Sequence, residues 1–298
     1  MDKVGSMRVF IAVAEARGFA PAARQLGMSP PAVTRAIAAL EERIGTRLLH
    51  RTTRIVRLTE AGARFLADAR RILAEIDEAE AAAAGDHARP RGLLTVTAPV
   101  MFGRMHVAPV VSEFLSLYPE VSVRLLLLDR VTDLLEEGID LAVRIAHLPD
   151  SSLNAVKVGS VRRVTCAAPA YLERRGEPQH PSDLPQHDTI GFWAQGAEAE
   201  WVFGPDAKPF RIRPPARMVV NAADVAIAAA LAGHGITRVL SYQIAEPLRQ
   251  GRLRLVLQAY ERPPIPIHLV HAEGRRVSAR LRTFLDFATD RLRRLELA

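Results

Sequence analysis

Ser29, Thr34 and Arg35 lie close together in the chain, and Arg51, Arg54 and Arg57 follow at intervals of three. Hydroxyls and guanidiniums donate hydrogen bonds to base edges and phosphates, so the chemistry they offer is recognition of a polyanion, not bond breaking. Local charge agrees: residues 1–60 hold ten Lys or Arg against five Asp or Glu, a basic bias concentrated at one end. The bland alternatives are an ordinary helical pair and, at 51–57, a solvated basic loop.

Other reactive residues do not assemble into a catalytic or metal-binding pattern. His268 and His271 are three apart, which on a strand points them to opposite faces. Gly233-His234-Gly235 has Arg238 where a dinucleotide loop needs its third glycine, and a helix precedes it instead of a strand. Neither a phosphate-binding loop nor a nucleophile elbow is found. The single cysteine, Cys166, excludes a disulfide framework and reads as a small buried hydrophobe. Trp193 and Trp201 read as core or cleft wall. The expectation is a protein without catalytic residues, metal or cofactor.

The elements that must position the polar cluster are helical. Val4, Met7, Phe10, Ile11 and Ala14 recur at helical spacing up to Gly18, and a second helix runs from Ala20 to Leu26. Ala23 is the small residue where two helices cross, Gly27 allows a left-handed bend, and Val33 anchors the next helix: the needs of a helix-turn-helix. Ser29 is placed as its N-cap, and Pro30 and Pro31 sit where a first turn tolerates missing N–H groups. That helix, Ala32 to Ile44, has the stripe Val33, Ile37, Leu40 and Ile44, and Gly45 stops it. Leu48 to Leu58 alternates like short strands carrying the arginines. Thr59 then caps a helix whose residues Phe65, Ala69, Ile72, Ile76, Ala79 and Ala83 are spaced as a coiled-coil seam. Such a seam predicts dimerisation; the competing reading is packing on its own domain.

Gly85 to Gly92 reads as a linker. Beyond it, strands at Leu93–Ala98, Val123–Leu128, Leu141–Ile145 and Val161–Ala167 alternate with helices at Val107–Leu117, Asp133–Glu137 and Ala170–Arg174, predicting a mainly parallel sheet. A second group has strands at Ile190–Trp193, Trp201–Phe203, Met218–Val220 and Ile236–Leu240 around a helix at Ala222–Ala232. Strand Ile265–Val270 and helix Val277–Leu295 close the chain. With 298 residues, length alone favours two domains over one compact unit. The longest apolar runs fall short of a bilayer span, and Asp2 and Arg8 interrupt any signal-like core, so a cytoplasmic protein without a membrane partner is expected.

Ala22-Ala23, Leu26, Ala32-Val33-Thr34-Arg35, Leu40-Glu41, Gly45, Arg47-Leu48-Leu49, Arg51, Arg54, Leu58-Thr59 and Gly62 resemble the winged helix-turn-helix of LysR-type transcriptional regulators. The similarity continues through Leu141-Ala142-Val143-Arg144-Ile145, Leu148 to Leu153, Pro169-Ala170-Tyr171-Leu172, Pro181-Ser182-Asp183-Leu184, Trp201-Val202-Phe203 and Ala232-Gly233-His234-Gly235-Ile236. It implies an α/β chain of three parts: a DNA-binding winged helix-turn-helix at 1–59, a dimerisation helix and hinge at 60–91, and an effector-binding domain at 92–298. That last part would be shaped like a periplasmic solute-binding protein, with lobe I at 92–161 and 267–298 and lobe II at 162–266. The implied function is transcriptional regulation in response to a small molecule. The implied partners are duplex promoter or operator DNA, an effector, further copies of the chain as homodimer or homotetramer, and RNA polymerase.

By this resemblance DNA is met by Ser29, Pro30, Pro31, Thr34, Arg35, Arg51, Arg54 and Arg57. The dimer forms along Phe65, Ala69, Ile72, Ile76 and Ala79. The effector lies among Pro99, Val100, Met101, Arg130, Val131, Arg144, Phe192, Trp193, Asn221 and Thr237, where open α/β sheets present strand ends to ligands. Some positions depart from the family pattern: Pro30 stands where Gln is frequent, and Val100 and Val131 where hydroxyls are frequent. A less anionic effector, or compensation by Arg130 and Arg144, would follow, and either arginine could instead be a structural ion-pair partner. The alternative function is a cytoplasmic α/β ligand-binding protein or enzyme with an N-terminal helical assembly module.

Overall fold

The computed structural model describes residues 2–51, 56–83, 89–148, 153–194, 197–198, 200–272 and 277–295. Helices α1 (Lys3–Glu15), α2 (Phe19–Leu26) and α3 (Pro30–Ile44) lead into β1 (Leu49–Arg51), β2 (Val56–Leu58) and the long α4 (Glu60–Ala83). Gly27 and Gly45 both take left-handed backbone, with φ of 62° and 75°, ending α2 and α3 where a Cβ would strain the turn. The shared core is Val9, Phe10, Val13, Ala22, Ala23, Val33, Ala36, Ile37, Leu40, Leu48 and Leu49. Two expectations shift by one helical position. In α1 the buried face is Ser6, Val9, Phe10, Ala12 and Val13, so Val4, Met7, Ile11 and Ala14 only flank it. In α3 Ala36 replaces Ile44, which is exposed, because a stripe fixed on Val33 and Ile37 rotates away from the core by the last turn.

The remainder forms two sheets. The first joins β3 (Gly92–Ala98), β4 (Val121–Leu127), β5 (Leu141–Ile145), β6 (Leu153–Val161) and the late strand β15 (Ile265–Ala272) in the order β4-β3-β5-β15-β6. Between β3 and β4 lie the short helix α5 (Val100–Phe102), a five-residue π-helical turn at Gly103–Val107 and helix α6 (Ala108–Leu117). The second sheet is built from β7 (Arg163–Ala167), β8 (Thr189–Ala194), β12 (Ala216–Val220), β13 (Ile236–Leu240) and β14 (Arg254–Val256), with β9 (Ala197–Glu198) against β8. Strands β10 (Trp201–Phe203) and β11 (Phe210–Ile212) form a separate hairpin. Helices α7 (Pro169–Arg175), α8 (Ala223–Leu231), α9 (Ala245–Arg249) and α10 (Ala279–Arg293) complete the chain.

The sheets are mixed, not mainly parallel. Strands β3, β4 and β5 are parallel, but β15 runs antiparallel to both β5 and β6. Likewise β7 is antiparallel to β13 and β14. The cause is the path of the chain, which leaves the first sheet through β6 and returns through β15. The single strand expected at Val161–Ala167 is therefore two, broken at Arg162, and β15 begins at Ile265. Asp133–Glu137 is a run of turns, not a helix: the Asp133 carboxylate accepts from the N–H groups of Leu135 and Glu136, and Gly138 closes the turn at φ 62°. One apolar core runs under both sheets, from Leu94, Val96 and Phe114 to Val164, Cys166 and Val239.

Candidate DNA-reading head and regulatory cleft

The first turn of α3 begins with two residues that have no N–H. Ala32 and Val33 both donate to the Ser29 carbonyl, at 2.9 and 3.1 Å, so no backbone donor is left there for a phosphate. The Ser29 side chain, with no N–H of Pro31 to accept, makes no capping bond. Its hydroxyl stays exposed beside Pro30, Pro31, Thr34 and Arg35, all exposed, while Val33, Ala36, Ile37 and Leu40 face the core. Thr34 donates its hydroxyl to the Pro30 carbonyl at 3.0 Å and keeps oxygen lone pairs outward. Donors on this face are thus side chains alone, which fits reading base edges better than the backbone phosphate capture usual at helix starts.

A wing is fixed beside that helix. Glu41 of α3 accepts from the N–H groups of Leu48 and Leu49, at 2.9 and 3.0 Å, which ties the first wing strand to the helix. Strand pairing sets His50 opposite Arg57 and Arg51 opposite Val56, and Arg57 is exposed. Arg54 lies outside the described residues, as does the side chain of Arg51. Thr59 caps α4 by accepting from Gly62 N–H at 2.9 Å and donates to the Arg47 carbonyl at 2.8 Å. Gly62 has no substitute: a Cβ there would lie 1.9 Å from the Leu48 carbonyl oxygen.

The seam along α4 divides. Phe65 packs edge-on against Phe10 of α1 with centroids 5.3 Å apart, Ala69 is fully buried, and Arg70 pairs with Glu15 at 2.6 Å. These residues are used within the chain, because α4 folds back along α1. Ile72 and Ile76 remain half-buried, and the Ala79 side chain lies outside the described residues.

At the ends of β3, β4 and β5 the first sheet gathers part of the expected effector set. Pro99 precedes α5; the Val100 N–H donates to Asp129 at 3.0 Å, Val100 is exposed and Met101 buried. Arg130 is gripped by Glu137 through two bonds of 2.8 and 2.6 Å, and Arg144 donates to the Thr132 carbonyl at 2.8 Å. Arg130 is thus in an ion pair, whereas Arg144 meets a backbone carbonyl and no carboxylate among the described residues. The pairing with Arg130 keeps the Glu137 carboxyl below its usual range. Val131 is 75% exposed. On the other sheet Phe192 is half-buried, Asn221 is exposed ahead of α8, and the side chain of Trp193 is outside the described residues. Thr237 is fully buried with its hydroxyl on the Ile190 carbonyl at 3.1 Å, so it offers a ligand nothing in this arrangement.

The two sheets meet through residues that local pattern did not reveal. Phe102 and His106 pack against Tyr242 with centroids 5.3 and 5.5 Å apart, and Arg104 faces Asp224 at 3.9 Å. Burial lowers the pKa of His106 and raises that of Tyr242, so both are held neutral. Cys166 is buried with its thiol pushed up to about 12, again by burial. His268 is half-buried and His271 buried on β15, and no group of metal-binding side chains occurs among the described residues.

A winged helix-turn-helix joined to a two-lobed α/β domain defines a DNA-binding regulator that responds to a small molecule. Residues 4–63 match the bacterial regulatory helix-turn-helix of the lysR family, and residues 87–293 match the LysR substrate binding domain. An HTH-type transcriptional regulator of Xanthomonas campestris pv. campestris is 37% identical over 296 residues, covering 95% of this chain and 84% of its own. The structure of CrgA, a LysR-type transcriptional regulator from Neisseria meningitidis, aligns with a TM-score of 0.61 and 31% identity over 98% of this chain and 99% of that one. Full-length AphB, a virulence activator of Vibrio cholerae, aligns with a TM-score of 0.61 and 26% identity over 97% and 99%. The chain belongs to the LysR family of transcriptional regulators. Members of this family bind DNA and small-molecule effectors, form oligomers and are regulators, not enzymes. Among the described residues no helix is long and apolar enough to cross a membrane.

Proposed function

We propose that Ser29, Pro31, Thr34 and Arg35 read base edges in a major groove while Arg57, with Arg51 and Arg54 of the same wing, holds adjacent phosphates. The observation that carries this is the first turn of α3, where two prolines remove the backbone donors and leave a face of exposed side-chain donors. Pairing of two chains through the free part of α4, around Ile72 and Ile76, sets two such helices on one roughly palindromic site. The chain acts in the cytoplasm, without catalysis of its own, and exerts its effect on RNA polymerase at the promoter. The domain limits that follow are 1–59, 60–91 and 92–298.

The effector lies between the lobes against Pro99, Val100 and Val131. Because Arg130 and Arg144 are already engaged by Glu137 and the Thr132 carbonyl, it carries little negative charge at that end. Its binding shifts the arrangement of the paired chains only through unequal affinity for two arrangements. Selection of random duplexes by the full-length chain tests the reading. A recovered palindrome, lost on Arg35→Ala, is expected; no enrichment over input would overturn it.

A further inference from the structure

Lobe II holds a cavity of about 320 Å³ whose walls carry four arginines, Arg163, Arg211, Arg238 and Arg262, with one lining carboxylate, Glu200. The sequence placed no site there, and only Phe192 belongs also to the expected effector set. Arg211 pairs with Glu200 at 2.7 Å, and Arg262 pairs with Asp206. The Arg163 guanidinium, on a strand residue paired with Leu240, has no hydrogen bond or ion pair among the described residues. Arg238 is 7% exposed; it stacks over the Phe203 ring at 4.3 Å and donates one terminal nitrogen to the Val202 carbonyl, yet its buried Nε has no partner.

A buried guanidinium with an idle N–H beside a second unpaired one is an arrangement that folding alone does not favour. Burial first, then the nearby charges of Arg163 and Arg262, hold Arg238 down to about 9 despite the opposing pull of Glu261. Arg163 keeps exposed surface at the mouth, but surrounding protein lowers its pKa too. An anion between the two would supply the missing acceptor and relieve the repulsion. Two unbalanced cations match two negative charges, and Phe192 and Trp201 in the wall suit a small organic body.

We infer that this cavity binds a small dianion, a dicarboxylate or phosphoryl compound, held by Arg163 and Arg238, as a site distinct from the interlobe cleft. The test titrates the full-length chain by calorimetry with succinate and with inorganic phosphate, ionic strength being held constant with sodium chloride. Saturable binding of at least one probe is expected. Arg163→Ala should weaken it about tenfold, the loss of one charge-assisted bond, and Arg163→Lys should recover part. Arg163 keeps exposed surface; Arg238→Met is the second arm, and the folding of every variant is checked by circular dichroism. Binding by succinate alone assigns the dicarboxylate, and by phosphate alone the phosphoryl group. Absence of saturable binding for both probes, or binding unchanged in both Arg163→Ala and Arg238→Met, overturns the inference. DNA binding measured on the same samples separates the two readings: retained DNA binding without anion binding sinks only the cavity, and the reverse sinks only the DNA face.

Discussion

Gly62→Ala isolates the contact that seats the wing on the linker helix. The new Cβ would lie 1.9 Å from the Leu48 carbonyl oxygen and 3.2 Å from Thr59 Oγ1. Relief requires a shift of well over an ångström, and the obstacle is backbone, not a flexible side-chain end. That oxygen also accepts from Thr59 N–H at 3.0 Å, and Thr59 caps the helix through Gly62 itself. Overpacking costs about 1–3 kcal/mol, and loss of a cap adds ~1 kcal/mol. At roughly 4–8 °C per kcal/mol for a unit of 60–100 residues, this total of about 2–4 kcal/mol gives a fall of about 8–32 °C in the melting of the N-terminal unit. Both tryptophans, Trp193 and Trp201, lie in lobe II. Their fluorescence therefore reports that lobe alone, whereas circular dichroism at 222 nm also sees α1 to α4. The account predicts an early dichroism transition with the fluorescence transition unmoved, and DNA affinity lost in parallel. A variant whose two transitions coincide with those of the parent would refute the geometry.

Other consequences are equally direct. Arg57→Ala should weaken binding to all duplexes alike and lower the slope of log affinity against log salt by about 1, checked by anisotropy on specific and scrambled DNA; a sequence-dependent loss would contradict a phosphate role. The pKa values of His106, His187 and His268 are all lowered, chiefly by burial. A lowered folded value means the unfolded chain binds protons first, so the stability these groups confer is present above their ordinary value near 6.5 and is lost as pH falls below it. Melting followed by circular dichroism at 222 nm should accordingly drop between pH 7.5 and 5.5, and an unchanged melting temperature would count against their burial. Cys166 has the opposite sense: its folded value is raised to about 12, so stability is lost as pH climbs above the unfolded thiol value of about 8.5. A thiol reagent at pH 8 should react with Cys166 only in denaturant; rapid labelling of the native chain would contradict this.

Much of the head was legible because its signals are local. Gly27, Pro30, Pro31, Gly45 and Thr59 each mark a boundary by local chemistry: α2 ends before Gly27, α3 runs from Pro30 to the residue before Gly45, and α4 starts after Thr59. The exposed position of Ile44 was not legible, since Ala36 wins the core place through the turn of the helix and not through hydrophobicity. Strand β6 carries Lys157 and Gly159 and so shows no alternation, yet β15 pairs with it along its whole length. The antiparallel return of β15 depends on a connection of about a hundred residues, which no window of sequence contains. The start of the α4 seam, Phe65 and Ala69, turned inward because Phe10, far earlier in the chain, was there to receive Phe65. The expected effector set was placed at strand ends, but the engagement of Arg130 and Arg144 depends on turns at 129–138 whose form Asp133 decides. Arg163, Arg211, Arg238 and Arg262 meet only in three dimensions.

The most direct test of the central claim compares the parent with Ser29→Ala/Thr34→Ala/Arg35→Ala, three exposed positions that leave the core of α3 untouched. Anisotropy titrations use the DNA upstream of the gene and a scrambled duplex over a salt series. The account predicts that the parent prefers its own DNA and that the triple variant binds both duplexes equally, still with a steep salt dependence from the wing. A triple variant that keeps the parent's preference would contradict it.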